Sequence, residues 1–341
     1  MRTADFDYEL PGELIAQTPI EPRDMSRLLA YDRTRGEVSH RVFRDVLDFL
    51  RAGDALCIND TRVLPARLLG VREDTGGAME FLLLKRLDAV TWQALVRPGR
   101  RAKQGLWFSF GEGLLRAQVL GDAPGGAREV RFSFDGVFEE VLEKVGQMPL
   151  PPYITQQLSD RQRYQTVYAK YDGSAAAPTA GLHFTPQLLE AIRAKGVDIV
   201  PVLLHVGLGT FRPVKDEDLS RHEMHTEFFQ VTQDAASRLN GARDRGGRIV
   251  CVGTTTVRTL ESSIGEDGRI AARQGDTQLF IAPGYEFRAV DALITNFHLP
   301  KSTLLMLIAA FMGRENALNA YHIAVQERYR FFSFGDAMLI F

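Results

Sequence analysis

Three histidines stand where an apolar run breaks into a polar loop. His183 lies in PTAGLHFT (178–185), a Gly/Thr loop at the mouth of an amphipathic helix. His205 follows VDIVPVLL (197–204) and opens Val206-Gly207-Leu208-Gly209-Thr210. His298 follows DALITN (291–296), just before a helix capped by Ser302 or Thr303. A turn at PTAGLHFT needs Gly181 and the capping Thr185, but it has no need of an imidazole. Histidine binds its proton near neutral pH, so it suits proton transfer. A lone strand-end histidine is more often structural, but three in one setting reverse that preference. His183, His205 and His298 are therefore the candidate catalytic residues. Thr179, Gly181, Gly207, Gly209, Thr210 and Asn296 lie in the same loops as candidate substrate contacts.

A fourth apolar run, IVCVG (249–253), gives way to Thr254-Thr255-Thr256-Val257-Arg258 at a helix mouth. Helix N-termini present free N–H groups and the positive end of the dipole. Thr254, Thr255 and Thr256 are candidates to hold a carboxylate or hydroxyls, although capping alone explains one of them, as it does Ser302. Arg62, Arg258 and Lys301 are candidate partners for a carboxylate or phosphate. The Gly207/Gly209 pair lacks GxGxxG spacing, and no P-loop lysine follows it. Arg221-His222-Glu223-Met224-His225-Thr226-Glu227 is not HExxH, because its second histidine comes one residue too early for helical i, i+4 geometry. In an extended chain Glu223, His225 and Glu227 share a face. No CxxC or carboxylate triad accompanies them, so no metal site is expected, and His222, Glu223 and His225 read as a polar wall of the crevice.

The elements that must position these groups follow from pattern. Residues 26–31 and 37–41 flank an Arg35-Gly36 turn and read as a hairpin. Residues 43–51 have helical spacing, and 55–58 form a short apolar strand. From about 64 to 134, six short strands are separated by Gly, Asp and Pro turns with no helix between. That predicts a small antiparallel barrel or sandwich, followed by a helix at 137–145 and a Pro-rich stop at 148–154. Beyond it, helices are expected at 159–170, 186–195, 232–245, 256–264, 302–312 and 314–330. Strands are expected at 197–205, 226–231, 248–252, 277–281, 291–295 and 336–340. This alternation predicts an α/β domain with a mainly parallel or mixed sheet, built from both chain ends (1–64 and 151–341), with an antiparallel β-barrel domain (65–150) inserted. In open α/β sheets the ligand crevice lies outside the carboxyl ends of the strands, where the histidine loops fall.

Composition sets the bounds. The chain has 341 residues, 45% hydrophobic and 25% charged, which is ordinary for a globular protein of two domains. A net charge of −2 does not advertise nucleic-acid binding, so any such binding rests on local patches. Arg97, Arg100, Arg101 and Lys103 form one cluster. Arg161 and Arg163 lie beside Tyr164 and Tyr168, and Arg328 and Arg330 flank Tyr329. Solvated faces explain most such runs, yet Arg with aromatics also suits RNA. Cys57 and Cys251 both lie in apolar runs, consistent with buried free thiols in a reducing compartment. The first residues lack a signal core. The longest apolar run, 304–312, has nine residues, against the ~20 a membrane span needs. A cytoplasmic protein without membrane contact is expected, with a monomer as its state.

Taken together, APTAGLHF (177–184), LLHVGLGTFRPV (203–214), HEMHTE (222–227), VGTTTVRTLES (252–262), PGYEF (283–287), TNFHLPKSTLLML (295–307) and YRFFSFGDAML (329–339) resemble one family. It is the S-adenosylmethionine:tRNA ribosyltransferase-isomerase family of queuosine biosynthesis, whose pattern DFDYELPGELIAQTP and SRLL at 26–29 also match. The resemblance covers the whole chain. It implies transfer and isomerisation of the ribosyl part of S-adenosylmethionine onto an aminomethyl-deazaguanine at the wobble position in the tRNA anticodon arm. The implied products are epoxyqueuosine-tRNA, adenine and methionine. S-adenosylmethionine is then a ribosyl-donor substrate, and no metal or redox cofactor is implied. Leu208 and Thr256 stand where Ala and Ser are also expected, and Phe334 where Tyr is common, so Phe334 carries no polar role. Two other classes compete. A Rossmann methyltransferase would need an acidic Gly-rich first βα turn, which is missing. An RNA-binding module without chemistry would not require three histidines.

Overall fold

The computed structural model describes residues 1–341 apart from 157, 159, 208–216, 220, 221 and 223. By internal contacts the chain divides into two compact units. One comprises Met1–Thr61, Pro152–Tyr171 and Ala177–Phe341, and the other Arg62–Pro151 with Asp172–Ala176.

In the first unit, β1 (Arg27–Asp32) and β2 (Glu37–Val42) form the expected hairpin. A short helix α1 (Val46–Phe49) leads to β3 (Ala55–Asn59), whose five residues are all buried. Burial on both faces is what a continuous apolar run in a parallel strand permits. Next comes β4 (Thr61–Val63). The second unit follows in the chain with β5 (Arg67–Arg72), β6 (Ala78–Arg86), β7 (Thr91–Arg97), β8 (Trp107–Phe110), β9 (Leu115–Ala123), β10 (Ala127–Phe134), helix α2 (Phe138–Val145) and β11 (Gly146–Gln147). All pairings among these strands are antiparallel, and β5 also pairs with β8, closing six strands into a barrel. Closure depends on Gly70 in β5, where a Cβ would lie 2.3 Å from the Ser109 carbonyl oxygen and 2.4 Å from the Phe110 ring. Phe81, Phe108, Phe110, Val130 and Leu142 fill the barrel core.

A short strand β12 (Tyr171–Ser174) pairs with β4. The remaining elements are α3 (Pro186–Ala194), β13 (Asp198–Leu204), β14 (Glu227–Val231), α4 (Gln233–Asp244), β15 (Ile249–Val252), α5 (Thr254–Glu261), β16 (Arg273–Thr277), β17 (Ala292–Asn296), α6 (Thr303–Met312), α7 (Arg314–Gln326) and β18 (Ala337–Ile340). Among the described residues the large sheet has nine strands in the order β16-β14-β13-β3-β15-β17-β18-β1-β2. Its centre, β13-β3-β15-β17, is parallel. β18 runs against β17 and alongside β1, so the two chain ends meet in the sheet. Helices cover both faces. Residues of α4 to α7 pack against Cys57, Cys251 and Leu293, while α1 and α3 pack against Leu56, Val250 and Ile294.

Three sequence expectations change. Residues 160–170 form only a short 3-10 turn, Arg161–Tyr164, and not a helix. The turn ends at Gln165, whose backbone is extended (φ −125°, ψ 144°) and whose amide bonds back to the Gln162 carbonyl. The strand expected at 277–281 lies at Arg273–Thr277. There a polar edge strand pairs with β14, while Leu279, Phe280 and Ile281 pack into the core. The last helix stops at Gln326, because the chain turns back through a left-handed Arg328 and the Tyr329 amide bonds to the Ala324 carbonyl. No helix among the described residues is long and apolar enough to cross a membrane.

Candidate active site

Strand directions bring the polar loops to one edge. β13, β3, β15 and β17 all end there, in His205, Asn59-Asp60-Thr61, Gly253-Thr254 and Asn296 respectively. The antiparallel neighbours β14 and β18 start there, at Glu227 and just after Asp336. This is the carboxyl edge at which α/β sheets bind ligands.

One cluster surrounds His183. The chain PTAGLH folds as a 3-10 turn, Thr179–His183, before Thr185 caps α3 by accepting the Leu188 amide. His183 is buried and stacks on Phe43 at 4.8 Å. Its Nδ1 is 2.7 Å from Ser26 Oγ, and its Nε2 is 3.0 Å from Asn296 Nδ2. The amide of Asn296 has a defined orientation, since Nδ2 also donates to the Phe332 carbonyl (3.3 Å) and Oδ1 accepts from Thr179 (3.0 Å). Nε2 therefore accepts, Nδ1 carries the proton to Ser26, and the ring is neutral. Burial pushes its proton affinity down to about 3, helped by the positive charges of Arg330 and Arg23. Both ring nitrogens are thus occupied.

A second cluster surrounds His205. Asn59 binds the Leu204 carbonyl (2.9 Å) and amide (3.1 Å), stitching β3 to β13. Thr61 Oγ1 then lies 2.8 Å from His205 Nδ1, and the ring stacks on Phe228 at 5.8 Å. The imidazole is half-buried, which lowers its proton affinity. Its Nε2 has no hydrogen bond among the described residues. Beside it Glu227 accepts from the Gly207 amide (2.7 Å) and His225 Nε2 (3.0 Å), and it also pairs with Arg258. Burial would raise the Glu227 carboxyl, but the His225 bond and the Arg258 charge more than reverse this.

The mouth of α5 links the clusters. Gly253 has φ 88°, and a Cβ on it would lie 3.5 Å from Thr255 Oγ1 and 3.6 Å from the Ala180 methyl. No side chain caps α5. Thr255 Oγ1 is buried without a hydrogen bond among the described residues. Thr256 instead bonds back to the carbonyls of Val252 and Gly253, a structural role.

Other candidates are placed differently. His298 shares the edge but not the face of His183. Its Nε2 is held by Thr295 Oγ1 at 2.9 Å, and Thr295 alternates with Asn296 along β17. The Tyr321 and Tyr8 hydroxyls clamp its backbone amide and carbonyl, and burial lowers its proton affinity. Ser302 caps α6, accepting the Leu305 amide. Lys301 pairs with Asp7 at 2.8 Å. The Arg258 charge is balanced by Glu227, and its Nε donates to the Leu279 carbonyl. Arg62 belongs to the second unit, where it faces Glu143 (3.8 Å) and Asp172 (3.7 Å). His222 packs edge-on to Phe280. Gly181 serves packing, since a Cβ would lie 2.1 Å from the Tyr168 hydroxyl. Gly209, Thr210 and Glu223 lie outside the described residues.

Sequence reading passed over Asp60. It is buried at the end of β3, directly before Thr61. Burial pushes its carboxyl up to about 6, against the opposing pull of its own backbone amide and of Lys170. The signal was an acid two residues beyond the apolar run Ala55–Ile58, at the end of a buried strand.

Residues 3–340 match the family described as Queuosine biosynthesis protein. The chain belongs to that family. Among its curated relatives, the S-adenosylmethionine:tRNA ribosyltransferase-isomerase of Symbiobacterium thermophilum is 60% identical, and that of Clostridioides difficile is 58% identical. Each alignment spans 340 residues and 100% of both chains. The crystal structure of S-adenosylmethionine tRNA ribosyltransferase from Thermotoga maritima is similar with a TM-score of 0.57 and 42% identity, over 99% of this chain and 100% of that one. The family match thus spans every sequence segment of the His183 and His205 clusters.

Proposed function

We propose that this protein transfers the ribosyl part of S-adenosylmethionine to the aminomethyl-deazaguanine base in a tRNA anticodon arm and isomerises it. Epoxyqueuosine-tRNA, adenine and methionine are the products. A sulfonium acidifies the adjacent ribose carbon, so a neutral base at that carbon starts the reaction. The observation that carries this reading is His205. Its imidazole is held at Nδ1 by Thr61, kept neutral by burial, and open at Nε2 among the described residues. We assign to Asp60, one residue before Thr61 and with its carboxyl pushed up to about 6 by burial, the proton that goes to departing adenine. His183 acts as a positioning residue, orienting Asn296 and Ser26. The uncapped start of α5, with its amides and Thr255 Oγ1, suits the methionine carboxylate. S-adenosylmethionine is itself the ribosyl donor, and the scheme calls on no metal or redox cofactor.

The test incubates the protein with S-adenosylmethionine and tRNA carrying the aminomethyl-deazaguanine base, following free adenine and the mass of the nucleoside. Adenine and methionine released in equal amounts, with the mass gain of an epoxycyclopentane group, are expected. S-adenosylhomocysteine instead would make the protein a methyltransferase. His205→Ala is expected to lower turnover by ~10²–10⁴-fold, the usual contribution of a general base. Near-normal turnover in that variant would remove His205 from the role.

A further inference from the structure

The cations of the barrel unit differ in how far carboxylates occupy them. Six arginines face carboxylates: Arg62 faces Asp172 (3.7 Å) and Glu143 (3.8 Å), Arg67 Glu80 (3.0 Å), Arg72 Asp74 (2.5 Å), Arg86 Glu139 (2.7 Å), Arg116 Glu73 (2.7 Å) and Arg128 Asp122 (2.8 Å). Arg97, Arg100, Arg101 and Lys103 are exposed and have no carboxylate within ion-pair distance among the described residues. The segment that carries them, RPGRRAK (97–103), contains no acid.

This segment is held in place. Gly99–Arg101 form a 3-10 turn after β7, and Ala102 is buried in the barrel core. Arg128 donates to the carbonyls of Ala102 (3.1 Å) and Gly99 (3.5 Å), fixing the loop while spending its charge on Asp122. The cations are therefore presented outward from a braced backbone. Beside them lies an open, mainly apolar hollow of about 630 Å³, lined by Leu69, Ala78, Met79 and Pro98, with Arg97 on its border. The one acid in its lining, Glu80, is the partner of Arg67.

We infer that this face of the barrel docks the sugar–phosphate backbone of the tRNA, with the hollow receiving the flat side of a ribose or base. Three of the four cations are guanidinium groups, which pair with phosphate oxygens in a two-pronged way. A net charge of −2 supplies no general attraction for a polyanion, so a local acid-free cluster must do so. A membrane surface fits less well, because the apolar element is a recess and not a protruding ridge. The inference rests on the tRNA substrate proposed above.

The test measures tRNA binding against salt concentration for three proteins: wild type, the quadruple variant Arg97→Ala, Arg100→Ala, Arg101→Ala, Lys103→Ala, and Arg116→Ala as a paired-arginine control. Each phosphate contact contributes ~0.7–0.9 to the log–log salt slope, so the quadruple variant should lose about 3 from it. Its affinity at ~0.15 M salt should fall on the order of a hundredfold or more. KM for tRNA should rise in step, while KM for S-adenosylmethionine and the melting temperature stay put. Arg116→Ala should behave as wild type. A triple Arg→Lys variant at 97, 100 and 101 should keep most of the slope. An unchanged slope in the quadruple variant, with wild-type melting, overturns the inference. Capture of the wild type by anionic phosphatidylglycerol vesicles, with tRNA affinity indifferent to the four substitutions, also overturns it. A wild type that neither binds nor modifies the tRNA would reject the proposed function instead, so the two failures are distinguishable.

Discussion

His183 is a histidine that the folded protein keeps from taking up a proton. Its Nε2 accepts from Asn296, its Nδ1 faces Ser26, and Phe43 covers the ring. The folded proton affinity, about 3, lies well below the ordinary 6.5. An unfolded chain thus binds a proton near pH 6.5 that the folded chain refuses until about pH 3. The stability owed to the neutral ring is complete above pH 6.5 and drains away as pH falls through that window, by ~1.4 kcal/mol per pH unit. His183→Asn should be less stable than wild type at pH 7.5 but should lose less between pH 6.5 and 5. Urea unfolding of both proteins across that range checks this. Parallel losses would mean that the ring is not buried as a neutral group. Sequence marked His183 through its odd company of Gly and Thr. It had no way to show Ser26, more than 150 positions away, as its partner, nor to separate His183 from His298 by face.

At the scale of elements, the sequence was most legible where periodicity and capping agree. Thr185 and Ser302 each sit one residue before a helix and accept the amide three positions on, as their side chains suggest. Legibility failed where tertiary packing overrode local pattern, as in 160–170, where Tyr164 is buried and the chain leaves its 3-10 turn at an extended Gln165. That segment also explains Gly181. Tyr168 and Thr166 press against the 3-10 turn so closely that a Cβ at 181 would lie 2.1 Å from the Tyr168 hydroxyl and 2.7 Å from the Thr166 methyl. Gly181→Ala should therefore destabilise by ~1–3 kcal/mol through overpacking, and it should lower turnover by displacing His183. Tyr168→Phe removes the nearest atom, so the double variant should recover part of both losses. Thermal melting and turnover on the same four proteins test this. If the two substitutions simply add, the clash is not what makes glycine necessary.

At the scale of the whole molecule, alternation of helix and strand announced an α/β domain interrupted by a barrel, but strand order was invisible to local pattern. The large sheet closes through its least local pairing: β18, near the chain's end, lies between β17 and β1, with Leu28 opposite Ala337. All four β18 residues are buried, so without them β1 and β2 lose their attachment to the six other strands. So distant a pairing carries a large loop-closure cost. Two thiols report on it. Cys57 in β3 and Cys251 in β15 face each other in register, both buried in the core. Burial, and then each other's proximity, pushes the Cys57 thiol up, away from the reactive thiolate. In the intact protein both should react with an aromatic disulfide reagent only as fast as the sheet opens. Removing Ala337–Phe341 should expose both thiols within the mixing time, or yield a protein that does not accumulate in folded form. A truncated protein that still protects Cys57 and Cys251 would show that the four parallel strands close on their own, and that β18 serves only to carry the N-terminal hairpin and the Ser26 partner of His183.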